Sequence, residues 1–176
     1  MRWKSWRLRR LVVEPIYAHL LLDTSASMYG APLESLKQGV QLLFGTFISR
    51  SKRPIHVRLI GYESAAHELV QLQHVIGLEL PRLDAAGSSG LGGALRLLSS
   101  TIPDHDPSLV YIFTDGEPTD DWELALDSLR PRVRAIVGIV CGLSASGAAL
   151  VPALDRVLQM RDLTPDVLFD TFRVFT

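Results

Sequence analysis

Asp23-Thr24-Ser25-Ala26-Ser27 sets one carboxylate and two hydroxyls at alternate positions, directly after the apolar run Ile16 to Leu22. A loop curling over the end of a strand can turn all three inward. Two more polar clusters interrupt apolar sequence: Ser88-Ser89, between a Gly/Ser-rich loop and a helical pattern, and Asp115-Gly116-Glu117-Pro118, directly after Leu109 to Thr114. Asp23, Ser25, Ser27, Ser89 and Asp115 are all hard oxygen donors, with no thiol or imidazole near them in sequence. Such a set suits Mg²⁺, with Mn²⁺ or Ca²⁺ as alternatives, and argues against zinc and copper. Two carboxylates do not fully neutralise and encircle an octahedral cation, so water or an outside oxygen must complete the shell. An outside carboxylate would bring further negative charge, which makes an Asp or Glu of a partner protein the expected occupant.

Such donors need a scaffold, and the chain alternates strand-length apolar runs with helix-period segments. That pattern predicts an α/β domain of the Rossmann-like, doubly wound kind. Its sheet is expected to be mostly parallel, with helices on both faces. Ile16 to Leu22 reads as a strand buried on both faces. Pro32 opens a helix carrying Leu33, Leu36, Val40, Leu43, Phe44 and Phe47. Gly39 and Gly45 lie inside it, each costing about 1 kcal/mol relative to Ala, with close packing on the sheet as the expected compensation. Ile55 to Gly61 alternates as a half-exposed strand. The link to Ala66–Leu72 is too short for a parallel crossover, which predicts one antiparallel edge strand. Leu91, Leu95 and Leu98 mark a second helix. Asp120-Asp121-Trp122-Glu123 reads as a capping box for a third, stopped by Pro131. Arg134 to Cys141 is a strand, Ala148 to Asp155 a short helix, Val157 to Met160 a last strand, and Thr164-Pro165-Asp166 the start of a final helix. The clusters at Asp23 and Asp115 therefore fall at the carboxyl ends of parallel strands, where open α/β sheets bind ligands.

Other chemistries fit less well. An aspartyl-phosphate enzyme places a second aspartate two residues after the first, where this chain has Ser25. Gly87 to Gly93 lacks the lysine of a phosphate-binding loop. Ser88-Ser89 does not match a nucleophile elbow. His19, His56, His67, His74 and His105 are scattered without ligand spacing. Catalysis is therefore not expected; the alternative is a metal-dependent phosphohydrolase or nucleotide-binding protein using the same strand-end pocket.

With 176 residues, 47% apolar and 21% charged, the chain suits one domain with one sizeable core. Its net charge of -1 gives no global attraction to nucleic acid. No apolar run is long enough to span a bilayer. A monomer is favoured. The lone Cys141 sits in an apolar run and reads as a small buried hydrophobe. Residues 1–14 form a basic extension holding Trp3 and Trp6, ahead of a domain at 15–176. The extension begins as a signal peptide does, but Glu14 and Pro15 break the apolar stretch that should follow, so the reading is cytoplasmic. It is either a solvated terminus or a segment that docks on a partner or on the domain itself.

Asp23-Thr24-Ser25-Ala26-Ser27 matches the DxSxS motif of von Willebrand factor A-type (vWA) domains, whose metal site is the metal ion-dependent adhesion site (MIDAS). The resemblance spans roughly residues 16–160 and implies that a second-loop hydroxyl and a third-loop aspartate complete the site. Ser89 falls where the family has threonine, with Ser88 as an adjacent alternative, and Asp115 falls at the aspartate. Leu20-Leu21-Leu22-Asp23 with Phe113-Thr114-Asp115-Gly116-Glu117-Pro118-Thr119-Asp120 looks like the bacterial TerY-like branch, linked by name to tellurite resistance. That likeness implies a signalling module working with a protein kinase and a PP2C-type phosphatase.

Overall fold

The computed structural model describes residues 13–103, 108–116, 118–142, 145 and 147–175. The basic segment Arg2 to Arg10, His105 and Glu117 lie outside them. β1 (Ile16–Asp23) is covered on both faces, and its apolar residues alternately feed opposite cores. Leu20 and Leu22 enter one core, Leu21 the other. Each such buried side chain contributes about 1.5–3 kcal/mol.

β1 pairs in parallel with β2 (Ile55–Tyr62) from Ile16↔Ile55 to Asp23↔Tyr62, and with β4 (Leu109–Thr114) on its other side. β3 (Ala66–His74) runs antiparallel to β2 at one edge. β5 (Ala135–Val140) and β6 (Arg156–Gln159) complete the sheet in the order β3-β2-β1-β4-β5-β6. The expected doubly wound, mostly parallel sheet with one antiparallel edge strand is what forms. β2 alternates only in its first half, at His56 and Arg58; from Leu59 onward it is buried like a central strand.

α1 (Ala31–Arg50) and α4 (Pro165–Phe175) pack on one face, on Tyr111 and Phe113; α2 (Leu91–Thr101) and α3 (Trp122–Leu129) cover the other, on Val110 and Ile112. Pro32 sits in the first turn of α1, where a missing N–H is harmless. Thr164 Oγ1 accepts the Val167 N–H at 3.2 Å and caps α4.

Three expectations fail locally. Gly39 is held to glycine by close packing, since an added Cβ would lie 2.8 Å from Met160 Sδ and 2.9 Å from Phe113 Cε1; Gly45 has nothing within 4 Å, so packing does not explain it. Ala148 to Asp155 forms successive turns rather than a helix. Leu150 and Leu154 have helical spacing and are both buried, but Pro152 between them lacks the N–H a helix needs. Asp121 makes no side-chain cap to α3. The acids before that helix serve its neighbour: Asp120 accepts the N–H groups of Gly92 at 3.0 Å and Gly93 at 3.2 Å, both in the first turn of α2.

Arginines close the amino end of the sheet. Arg53 Nε donates to the Glu14 carbonyl at 2.9 Å. Arg132 donates to the carbonyls of Ser99 at 2.5 Å and Ile102 at 2.6 Å, at the last turn of α2.

Candidate functional site

Asp23 ends β1 and is fully buried. Its Oδ1 accepts the backbone N–H of Ser25 at 2.9 Å, and its Oδ2 accepts the hydroxyls of Ser89 at 2.9 Å and Thr114 at 2.8 Å. Ser25 Oγ and Ser27 Oγ lie 3.0 Å apart. Four of the five expected residues are thus joined in one hydrogen-bonded chain drawn from two loops. Asp115, the fifth, follows Thr114 directly at the end of β4 and is part-buried.

The loops are tied to one another through their backbones. Ala26 N–H donates to the Gly87 carbonyl at 2.9 Å, and Ala86 N–H to the Thr24 carbonyl at 2.8 Å. The Ser89 carbonyl takes both the N–H of Thr119, at 2.8 Å, and its Oγ1, at 3.0 Å. Of the two adjacent serines, Ser89 is buried on Asp23, whereas Ser88 is exposed and hydrogen-bonds Ser64 through its N–H at 3.1 Å.

Thr114 was not singled out by sequence, because it ends an apolar run and reads as strand. It donates to Asp23 and accepts the Gly116 N–H at 3.0 Å, where φ is 91° and glycine is required. Tyr62, opposite Asp23 on β2, is a second residue that sequence gave no reason to choose; its hydroxyl is buried beside Thr114.

Burial raises the Asp23 carboxyl above its ordinary value, and the hydrogen bonds from Ser25, Thr114 and Ser89 only partly offset that. Among the described residues no basic side chain pairs with it. Burial first, and then the charges of both Asp23 and Asp115, push up the Tyr62 phenol and the Cys141 thiol, the latter to about 12. Both carboxylates therefore act on the same small volume. Cys141 is a buried free thiol, as its apolar surroundings predict.

This donor set fits a hard divalent cation. A buried carboxylate with no counter-charge among the described residues, ringed by hydroxyls, is stabilised by a cation. A hydroxyl can donate its proton to Asp23 and still offer a lone pair to a metal. Among the described residues no three His, Cys, Asp or Glu side chains converge to hold a metal, so a cation here must lean on the serines. A cavity of about 470 Å³ between α2 and α3 is lined by Arg96, Ser99, Ser128 and Arg132, away from this cluster, and its arginines already bond Asp121 and the Ser99 and Ile102 carbonyls.

The chain matches a family model described as von Willebrand factor type A domain over residues 19–117. A search of curated proteins finds no match. Among solved structures it resembles a von Willebrand factor type A protein from Catenulispora acidiphila, at TM-score 0.62 and 19% identity over 92% of this chain and 42% of that one. It also resembles BatB from Bacteroides thetaiotaomicron, at TM-score 0.62 and 11% identity over 90% of this chain and 96% of that one. Proximal thread matrix protein 1 of the mussel byssus, with a zinc-occupied MIDAS motif, aligns at TM-score 0.66 and 13% identity over 92% of this chain and 46% of its own. At these identities the likeness concerns the fold. The chain spans less than half of the Catenulispora and mussel proteins and nearly all of BatB.

Proposed function

The chain belongs to the von Willebrand factor type A domain family, and from that premise we propose that it is a metal-dependent protein-interaction module rather than an enzyme. Asp23, Ser25, Ser27, Ser89 and Asp115 hold a divalent cation, directly or through water, and a partner's Asp or Glu takes a remaining position. The observation that carries this reading is Asp23: a carboxylate with no exposed surface, no basic partner among the described residues, and three hydrogen-bond donors fixing it. Thr114 holds Asp23 in place.

Mg²⁺ is the cation proposed, since hard oxygen donors favour it and it keeps some of its water when bound. Mn²⁺, Ca²⁺ and Zn²⁺ belong in the same titration, zinc because the mussel protein holds it at its MIDAS motif. The phosphohydrolase alternative has less support. The glycine-rich loop has no lysine to grip a phosphate, and Arg96 is engaged by Asp121 at 3.2 Å. The TerY-like motifs add a context: a cytoplasmic module acting with a protein kinase and a PP2C-type phosphatase.

Calorimetric titration of Mg²⁺ into the protein, followed by capture of a candidate kinase or phosphatase with and without chelator, tests the reading. Saturable metal binding and chelator-sensitive capture, both lost in Asp23→Ala, are expected. Capture indifferent to chelator and to Asp23→Ala would overturn it.

A further inference from the structure

The mouth of this site carries a pattern that bears on what surrounds the partner's carboxylate, an inference that rests on the function proposed above. Two ionised carboxylates, Asp23 and Asp115, match the formal charge of a dication. The expectation that an incoming carboxylate is drawn in by undercharged ligands is therefore too simple. It supplies a ligand oxygen, and the field that steers it belongs to the rim.

That rim is acidic on one side. Gly87, at φ 67°, hydrogen-bonds through its carbonyl to Ala26 in the metal loop, and a Cβ placed on it would run into the Glu63 carboxylate. Glu63 thus lies against the residue that braces the DxSxS turn. Among the described residues, Lys37 near the start of α1 is paired with Glu34 at 2.7 Å, and Arg82, in the loop that leads to Ser89, with Asp84 at 3.0 Å. Tyr29 supplies a separate signal. It follows the turn that carries Ser27, its N–H bonds the Ala26 carbonyl at 3.1 Å, and it is 82% exposed. An exposed phenol ring is a ready seat for a guanidinium or ammonium group. Glu63 and Tyr29 each favour a cation.

We propose that the partner presents its metal-binding Asp or Glu beside Lys or Arg, as a single acid in a basic stretch, and not within an acidic run. Screening restricts the effect to near neighbours, because charges beyond about 8 Å are damped at physiological salt. The flanking residues of the acid are therefore the ones that count.

Short Gly/Ser peptides with one central Asp, flanked by Lys, by Ser or by Glu, provide the probe, read by fluorescence anisotropy in Mg²⁺ and in chelator. The Lys-flanked peptide is expected to bind about fivefold or more tighter than the Ser-flanked one, and the Glu-flanked peptide weakest. The gap should narrow as salt rises and in Glu63→Gln and Tyr29→Ala. Magnesium-dependent binding that ignores the flanks, or that favours Glu, overturns this inference and leaves the metal reading standing. Absence of magnesium-dependent binding by all three peptides, or binding that survives Asp23→Ala, counts against the metal reading and this inference with it.

Discussion

At the amino ends of the parallel strands arginines cover backbone carbonyls: Arg132 on Ser99 and Ile102 at the end of α2, Arg53 on Glu14 before β1, Arg130 on Ala153 before β6. At the carboxyl ends the leftover groups are N–H donors, and carboxylates cover them: Asp120 on Gly92 and Gly93, Asp23 on Ser25. The helix dipoles in this fold run the same way, so side chains of opposite sign gather at opposite ends. The difference lies in the sign of the charge and in what answers it. Each arginine named above ends on a carbonyl. At the other end Asp23 is a buried carboxylate with a raised proton affinity and no basic partner among the described residues. The arginine end stabilises the fold; the carboxylate end is where a cation fits.

Substituting Asp23 should break that contrast most. Asp23→Asn is expected to lower metal affinity by more than the roughly 10–100-fold typical of an outer-shell change, seen as loss of the Mg²⁺-induced rise in melting temperature. The carboxyl's folded value lies above its ordinary 3.8, so the folded state binds the proton more tightly than the unfolded one. Stability of the metal-free protein should then fall as pH rises from near 3.8 through that raised value. The slope should be shallower in Asp23→Asn, measured by denaturant melts in chelator across that range.

Arg132→Ala tests the arginine end. It leaves the Ser99 and Ile102 carbonyls without their donor and is expected to cost about 1–3 kcal/mol in urea unfolding. Metal affinity by calorimetry should not change. Asp120→Ala lies between these cases. Losing a carboxylate shared by two N–H groups at the start of α2 should cost about 1 kcal/mol. Because Thr119 beside it also holds the Ser89 carbonyl, a severalfold loss of metal affinity should accompany it; a loss of stability alone would separate α2 from the site. The smallest effect belongs to Ser88→Ala, expected within about 0.5 kcal/mol and without change in metal affinity, whereas Ser89→Ala weakens metal binding.

The strands along the chain and the antiparallel edge pair were legible because they follow local rules. A doubly covered strand has to be continuously apolar, as in Leu20-Leu21-Leu22, and a break such as Asp23 then marks its end. What depended on distant partners was not legible. Asp120 looks like a cap for its own helix and caps another, because only the packing of α2 on α3 brings Gly92 within reach. Leu150 and Leu154 keep helical spacing through turns, because burying two side chains fixes their positions and leaves the backbone path between them open. Thr114 could have been suspected from one clue: a hydroxyl at the end of an otherwise apolar strand, next to an aspartate.

Asp23 has one more consequence. Its two oxygens are held from different directions, Oδ1 by a backbone N–H and Oδ2 by two hydroxyls, one from the Ser89 loop and one from the end of β4. The carboxylate plane therefore cannot swing about its own bond without breaking several contacts together. A group arriving from solution normally pays to still the side chains it binds. Here that stillness is part of the folded chain: rotational entropy that binding would otherwise remove was lost when β1 met β4.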